Sequence, residues 1–276
     1  MMNKYNIEDI SQQISEKGFV KIENIYDFTE YEFLNHTKKR GLLSYPINLK
    51  QKFIKLLKLD LQKIFQSNKL IKISNDLAFD KICNSYFKKK SQLRMIDSYY
   101  SEKSESPIID WHNDLALPPR LMQKENNNQM KYIKNTLTNT SGPARGLKFF
   151  IYLSDVQINN GSLAIIPFSH QVVKTCSYLM LEKKIPISPF WSLKEFRDSL
   201  KNNETKKLIA EKLGKEKLEL FLSQSEFVNH KQGDTNDFDI EMKKGGVIIF
   251  DELCFHRGSA PQKNSRLVLR YLFKRS

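Results

Sequence analysis

The sequence has few cysteines, and they follow no recognisable pattern. Cys83, Cys176 and Cys254 are an odd number and lack any Cys-x-x-Cys spacing. A disulfide framework needs paired cysteines and a zinc cluster needs closely spaced ones, so the pattern argues against both. It indicates a protein that is kept in a reducing compartment.

Long hydrophobic runs are also missing. The longest apolar stretches, Leu147 to Leu153 and Val247 to Phe250, are far shorter than the roughly 20 residues that a membrane-spanning helix needs. The N-terminus, Met-Met-Asn-Lys-Tyr-Asn, is polar overall and lacks the apolar run of a secretory signal. We therefore expect no membrane span and a cytoplasmic location.

The composition is that of a folded protein with a basic surface. Forty percent of the 276 residues are hydrophobic, including 18 Phe and 11 Tyr, which is enough to bury a sizeable core. Lys and Arg number 45 against 31 Asp and Glu, a net charge of +14. The lysines are spread along the chain without interleaved aromatics, so we expect no nucleic-acid partner. The basic balance favours a small, anionic organic molecule as the substrate.

The hydrophobic period divides one predicted domain, residues 1–276, into two parts. Residues 1–90 contain predicted helices at 7–14 and 49–65 and a strand at 18–23, and we interpret them as a helical buttress. From about residue 91 the pattern changes to short β-type runs, which predicts a mainly β sandwich or barrel with flanking helices. The predicted strands are 93–100, 108–112, 147–153, 162–166, 247–250 and 267–273.

Two stretches interrupt this series of strands. Residues 118–145 are polar and too long for an ordinary hairpin loop, so we expect them to lie over the mouth of the barrel. Residues 192–223 carry Lys, Glu and Leu at helical spacing, with Ser192 and Glu195 in the positions of a capping box. This second stretch is predicted to be a helical insertion.

The sharpest chemical motif is a His-x-Asp pair that follows an apolar extended run. Residues i and i+2 of a strand point to the same face, so the side chains of His112 and Asp114 can converge on one metal ion. Of the five histidines, His256 is the best third ligand, because it follows a strand that reads as buried. Two histidines and one carboxylate are typical of non-haem Fe(II) sites, although zinc hydrolases use the same donors.

Arg266 separates these two possibilities. It lies ten residues beyond His256 on the last predicted strand, where Arg266, Val268 and Arg270 share one face. An arginine that points inward can bind a carboxylate with two parallel hydrogen bonds, as the distal carboxylate of 2-oxoglutarate requires. A zinc hydrolase has no general need for such a residue.

These motifs together resemble the phytanoyl-CoA dioxygenase family of Fe(II)- and 2-oxoglutarate-dependent oxygenases. The resemblance covers most of the chain in the right order and depends on Glu16 to Val20, Trp111-His112-Asn113-Asp114, Leu153 to Val156, Asn160 to His170, Gly246 to Phe250, His256 to Ser259 and Asn264-Ser265-Arg266. It implies a double-stranded β-helix, the jelly-roll or cupin-like fold.

The resemblance also implies the roles of individual residues. His112, Asp114 and His256 are the expected Fe(II) ligands and catalytic residues, and Arg266 is the expected anchor of 2-oxoglutarate, with O2 as the second co-substrate. Ser259 lies near the position of a second hydroxyl donor to 2-oxoglutarate. Arg270, Arg257, Arg145 and Lys148 are candidates for contacting an anionic substrate.

One departure from the family, one retained carboxylate and one extra histidine refine this interpretation. The family usually has Gly where this chain has Phe168, so we expect the turn there to differ. The related halogenases replace the metal-binding carboxylate with a small residue, and the presence of Asp114 therefore favours hydroxylation. We expect His170 to have a structural hydrogen-bonding role.

The expected activity is hydroxylation of a C–H bond with release of succinate and CO2. Desaturation or cyclisation by the same cofactors remains an alternative, as does a metal-dependent hydrolase or isomerase on a cupin-like barrel. A nucleic-acid demethylase would use the positive charge, but its paired arginines are spaced differently from Arg266 and Arg270. A non-catalytic binding protein would not need all four key residues intact.

Overall fold

A computed structural model describes residues 5–25, 70–101, 103, 109–114, 146–158, 160–186, 192–230 and 238–276. The predicted helix at 49–65 and the predicted loop at 118–145 lie outside these residues. The single-domain assignment of residues 1–276 therefore stays a prediction. Among the described residues, no helix is long and apolar enough to cross a membrane.

The N-terminal helix and strand form where the sequence predicts them. Helix α1 (Ile7–Lys17) begins at Asn6, whose side chain accepts a hydrogen bond from the Glu8 backbone N–H. It ends at Gly18, which has a φ of 92°. A Cβ at Gly18 would lie 2.4 Å from Cys254 Sγ, so only glycine allows this close approach. Strand β1 (Phe19–Ile22) follows directly.

In the described part of the chain, the other assigned elements are a second helix followed by three blocks: four strands, four helices and four strands. In order they are α2 (Phe79–Phe87), β2 (Ser91–Ser101), β3 (Ile109–His112), β4 (Gly146–Tyr152), β5 (Leu163–Ile165), α3 (Ser169–Leu181), α4 (Leu193–Ser199), α5 (Asn203–Leu213), α6 (Lys215–His230), β6 (Asp239–Ile240), β7 (Val247–Asp251), β8 (His256–Gly258) and β9 (Arg266–Arg275).

These strands build two antiparallel sheets. The large sheet has the order β1-β7-β4-β9-β2, and the small sheet has the order β3-β8-β5-β6. Two facing antiparallel sheets flanked by helices are the architecture of a double-stranded β-helix, which confirms the predicted fold class. Strand β1, which lies inside the predicted buttress, pairs with β7 and extends the large sheet.

Side chains of the large sheet alternate between two environments. On its outer face, Leu147, Phe149 and Ile151 of β4 pack into one buried cluster with residues of α1 and α2. On its inner face, Phe150 and Tyr152 of β4 belong to a second cluster that lies between the sheets. The period of two predicted this alternation, and it directs the polar side chains of the inner face toward the small sheet.

The helical insertion covers the small sheet. Helix α4 starts at a capping box in which Ser192 and Glu195 exchange side-chain hydrogen bonds with each other's backbone N–H, as predicted. The helices continue past the predicted end at residue 223 to His230. Phe196 and Phe221 pack on Phe255, with ring centroids 5.2 and 6.1 Å away, and so support the loop that precedes β8.

Candidate functional site

Two histidines lie side by side on neighbouring strands of the small sheet. His112 ends β3 and pairs in register with His256, the first residue of β8. Their ring centroids are 4.4 Å apart, and both residues are buried. The predicted pair of histidine ligands is therefore brought together by strand pairing, although 144 residues separate the two in the sequence.

Asp114 completes a cluster of three possible metal ligands. Its backbone N–H donates to the Glu252 carbonyl over 3.0 Å, and its Oδ2 lies 3.6 Å from His256 Nε2. One ligand atom from each of His112, Asp114 and His256 lies within 4.8 Å of the others. This spacing and donor set fit one divalent metal ion.

Backbone carbonyls orient both imidazole rings. His112 Nδ1 lies 2.7 Å from the Asp110 carbonyl oxygen, and His256 Nδ1 lies 2.9 Å from the Cys254 carbonyl oxygen. A proton on each Nδ1 satisfies these contacts and leaves each Nε2 lone pair available to a metal. The ring orientation is thus fixed by the chain itself.

The electrostatics of the site favour deprotonated ligands. Burial lowers the pKa of His256 to about 4, so its ring is neutral at neutral pH. Burial acts to raise the pKa of Asp114, but the charge of the Lys148 ammonium and its hydrogen bond to the carboxylate outweigh burial and hold that pKa below its usual value. Metals bind the deprotonated forms of both groups, and the site provides them.

Lys148 of β4 is the cation next to this cluster. Its Nζ lies 2.5 Å from Asp114 Oδ2, and its side chain is 16% exposed. From the sequence, Lys148 was only one of four candidate cations for contacting an anionic substrate. The structure brings it to the carboxylate of the candidate metal-ligand cluster.

Arg266 lies at the start of β9, on the inner face of the large sheet. Its guanidinium donates to the Gly161 carbonyl over 2.8 Å and to Ser101 Oγ over 3.4 Å, and the residue is 5% exposed. A Cβ at Gly161 would lie 3.2 Å from Arg266 Cδ, so the glycine lets the arginine stem pass close to the backbone. The predicted carboxylate anchor is therefore buried and held at its base.

Ser259 contacts the turn at residues 161 and 162, which Arg266 also contacts. Its Oγ donates to the Ser162 carbonyl and lies 2.8 Å from Ser162 Oγ, which in turn donates to Asp239. Because Arg266 contacts Gly161 and Ser259 contacts Ser162, neighbouring residues of one turn connect the two. The structure thus places both near one turn, and their role as a co-substrate site stays a proposal.

Tyr152 was not predicted as a site residue. It is fully buried on the inner face of β4, directly opposite Val268 in the strand pairing and therefore one inner position away from Arg266. Its hydroxyl lies beside the Leu163 backbone and donates to no acceptor among the described residues. Burial raises the pKa of Tyr152, which keeps the hydroxyl protonated and able to donate. The alternation of Lys148, Phe150 and Tyr152 is the sequence signal that could have identified it.

Two of the other candidate cations are committed to partners. Arg270 donates from two nitrogens to both oxygens of Asp97, over 2.6 and 2.5 Å. Arg257 lies 3.6 Å from Asp239 and stacks over Trp111 at 5.4 Å. Both are thus structural pairs, and Arg145 lies outside the described residues.

The other histidines do not join the cluster. His170 is buried and its Nε2 contacts the Ser15 carbonyl over 3.2 Å, which ties α3 to α1 and confirms its predicted structural role. His36 and the side chain of His230 lie outside the described part of the chain. Phe168, just before His170, adopts a φ of 63°, a left-handed conformation that favours glycine. The expectation of a different turn is therefore not supported: the residue departs from the glycine pattern, but its backbone conformation does not.

The sequence matches no known family profile, and no curated protein matches it. Similar folds are found among solved structures. The carbocyclase SnoK from nogalamycin biosynthesis, described as non-haem and α-ketoglutarate dependent, has 13% identity and a TM-score of 0.53, covering 97% of this chain and 83% of its own. The epimerase SnoN, solved with Fe3+, α-ketoglutarate and nogalamycin RO, has 11% identity and a TM-score of 0.51, covering 98% and 83%.

HygX from Streptomyces hygroscopicus, solved with iron bound, has 13% identity and a TM-score of 0.50. The match covers 97% of this chain and 86% of HygX. At identities this low, the structural matches show a shared fold and nothing finer. That fold agrees with the double-stranded β-helix formed by the two sheets.

Proposed function

We propose that the chain is an Fe(II)- and 2-oxoglutarate-dependent dioxygenase that oxidises a C–H bond of a small organic molecule. One observation carries the proposal: the His112, Asp114 and His256 ligand atoms cluster within 4.8 Å, between the sheets of a fold whose inner face also holds the buried Arg266. The solved structures of this fold that contain iron and α-ketoglutarate support it.

In this proposal the three clustered residues hold Fe(II), and Arg266 binds the distal carboxylate of 2-oxoglutarate. Ser259 adds a hydroxyl donor from the turn at residues 161 and 162. Bound Fe(II) and 2-oxoglutarate supply the activation of O2, with succinate and CO2 as products. Two histidines and one carboxylate leave three coordination positions open, which this chemistry requires.

The chain's own residues prepare the site. Backbone carbonyls at Asp110 and Cys254 hold the ligand imidazoles, so little reorganisation is needed when a metal binds. Phe250 packs against His256 with ring centroids 5.0 Å apart and limits access of water to that side. Positioning and exclusion of water are the contributions that a protein makes to cofactor chemistry.

Hydroxylation is the outcome that we propose, because Asp114 retains the carboxylate and leaves no room for a halide ligand. The position of the substrate carbon decides the outcome, and the same cofactors also serve desaturases and cyclases. Cyclisation is the second candidate, since a carbocyclase shares this fold. A metal-dependent hydrolase is disfavoured, because it has no need for the buried Arg266.

The test is uncoupled turnover of 2-oxoglutarate. The purified protein, supplied with Fe(II), 2-oxoglutarate, O2 and ascorbate, should form succinate and CO2 slowly without a primary substrate, with ascorbate as the two-electron reductant that replaces it. The Asp114→Ala variant should form neither product. Product formation that persists without O2, or that is equal in Asp114→Ala, would contradict the proposal, and metal-dependent hydrolysis would then become the leading hypothesis.

A further inference from the structure

Lys148 is an inner-face residue in the middle of the large sheet. Its backbone pairs with Phe250 of β7 on one side and Leu272 of β9 on the other. Its neighbours Leu147 and Phe149 point into the apolar cluster on the outer face. Strand alternation therefore directs Lys148 into the space between the sheets, where its ammonium reaches Asp114.

Other acidic groups of this region already have partners within the described residues. Glu252 pairs with Lys274, Asp97 with Arg270, and Asp251 accepts from Tyr86. The one carboxylate that the Lys148 ammonium contacts in the described chain is Asp114, the proposed metal ligand. The charge of Lys148 is thus compensated by Asp114, the same carboxylate that is proposed to bind the metal ion.

The charges of this site do not balance once a metal ion and an oxo acid are bound. The Asp114 carboxylate balances the Lys148 ammonium, and neutral imidazoles add nothing. A divalent metal ion then leaves two positive charges, and the metal-binding carboxylate of an oxo acid removes one of them. Since Arg266 is assigned to the distal carboxylate, one positive charge remains beside the metal. Such a charge in a partly buried site attracts an anion.

We propose that Lys148 binds an oxyanion of the primary substrate, a carboxylate or a phosphate, and holds it beside the metal. This inference rests on the proposed function and adds the chemical class of the substrate. Lys148 then acts as a specificity-determining residue, because a substrate without the anion leaves its charge uncompensated. A lysine ammonium suits this task, since its three N–H groups can donate hydrogen bonds to oxyanions of different shapes.

The experiment measures anion binding rather than turnover. The full chain is loaded with Mn(II) and N-oxalylglycine, an unreactive analogue of 2-oxoglutarate. Inorganic phosphate and 13C-labelled acetate are then titrated in separate arms, while the paramagnetic relaxation of the 31P and 13C nuclei is recorded. The wild-type protein should give saturable relaxation in at least one arm, and the arm that saturates at the lower concentration identifies the oxyanion.

Three lysine variants sharpen the result. Lys148→Met should weaken anion binding at least about tenfold, because a hydrogen bond to a charged group is lost. Lys148→Arg keeps the charge and should retain most of the binding. The matched control is Lys21→Met on β1, where Lys21 pairs with Glu23 at the surface, and it should behave as the wild type. Circular dichroism confirms that each variant is folded.

The other outcomes separate this inference from the proposed function. Equal anion binding by Lys148→Met and the wild type would overturn the inference. So would a weaker affinity of Lys148→Met for Mn(II) or for N-oxalylglycine, which would show that Lys148 serves the metal ligand or the oxo acid. A wild-type protein that binds neither Mn(II) nor N-oxalylglycine would instead contradict the proposed function itself.

Discussion

The two faces of the large sheet use the same strands for different purposes. On the outer face, Leu267, Leu269 and Tyr271 of β9 join an apolar cluster with the N-terminal helices. On the inner face, Arg266 and Arg270 alternate with Val268. Loss of packing on the outer face lowers stability, whereas the inner face holds the buried Arg266, which the proposed function assigns to co-substrate binding. We therefore expect substitutions on the two faces to change different measurements.

The largest expected effect is on the outer face. Phe149 is fully buried, and its ring stacks on Phe79 with centroids 4.2 Å apart. Phe149→Ala should lower the free energy of unfolding by about 3–5 kcal/mol, measured by urea denaturation of the metal-free protein. Below the unfolding transition, its affinity for 2-oxoglutarate should match that of the wild type. A loss of affinity without a loss of stability would reverse the assignment of the faces.

The next effect is on the inner face. Arg266→Ala should weaken 2-oxoglutarate binding to the Fe(II) protein about a hundredfold, because paired charge-assisted hydrogen bonds are lost. Affinity for 2-oxobutanoate, which lacks the distal carboxylate, should stay within about threefold of the wild type. Anaerobic titration of both oxo acids measures the difference. Equal losses of affinity for the two oxo acids would mean that Arg266 does not bind the distal carboxylate.

A matched pair of tyrosines tests the comparison more finely. We predict that Tyr152 donates to 2-oxoglutarate, so Tyr152→Phe should weaken its binding about tenfold without lowering stability, since the hydroxyl has no described acceptor. Tyr271 on the outer face donates to the Leu70 carbonyl over 2.8 Å. Tyr271→Phe should lower stability by about 1 kcal/mol and leave 2-oxoglutarate binding unchanged. If Tyr152→Phe and Tyr271→Phe changed the same measurement, the functional distinction between the inner and outer faces would be refuted.

The smallest effect concerns a histidine outside the inner face. Burial lowers the pKa of His170 to about 4, helped by Lys174 and Lys217 and opposed by its contact with Ser15. The unfolded chain, with an ordinary pKa near 6.5, binds more protons between these values, so stability falls as the pH falls through this window. From pH 7 to about pH 5.5 His170 should cost about 1 kcal/mol of stability.

His170→Gln is the variant that isolates this contribution. Denaturation at several pH values should show a weaker pH dependence than the wild type. Metal binding at neutral pH should be unchanged, because His170 does not belong to the ligand cluster. An unchanged pH dependence would mean that His170 titrates alike in the folded and unfolded states.

Much of the fold was predictable because the strands keep a period of two. The predicted strands at 147–153 and 267–273 correspond to β4 and β9, and the alternation of Arg266 and Leu267 gave the faces correctly. Helix α3 was not predicted. Its start lacks the usual signal of a helix, because Phe168 supplies no side-chain cap. The partly exposed stripe of Gln171, Lys174 and Thr175 is at helical spacing and could have indicated the helix.

The candidate site was predictable only in part. A local His-x-Asp spacing and one later histidine indicated the three residues that the structure clusters as candidate metal ligands, because two of them are close in sequence. The contact of Lys148 with Asp114 and the position of Tyr152 near Arg266 depend on cross-strand register. Register is set by the pairing of distant segments, and a single sequence does not display it.

The most direct test of the central claim is an anaerobic titration of the metal-free protein with Fe(II) and 2-oxoglutarate. The chelate of the two should produce a weak visible charge-transfer band in the wild type. The band should be absent in Asp114→Ala and should require far more 2-oxoglutarate in Arg266→Ala. Failure of the wild type to form the band, together with tight zinc binding, would contradict the assignment and favour a metal-dependent hydrolase.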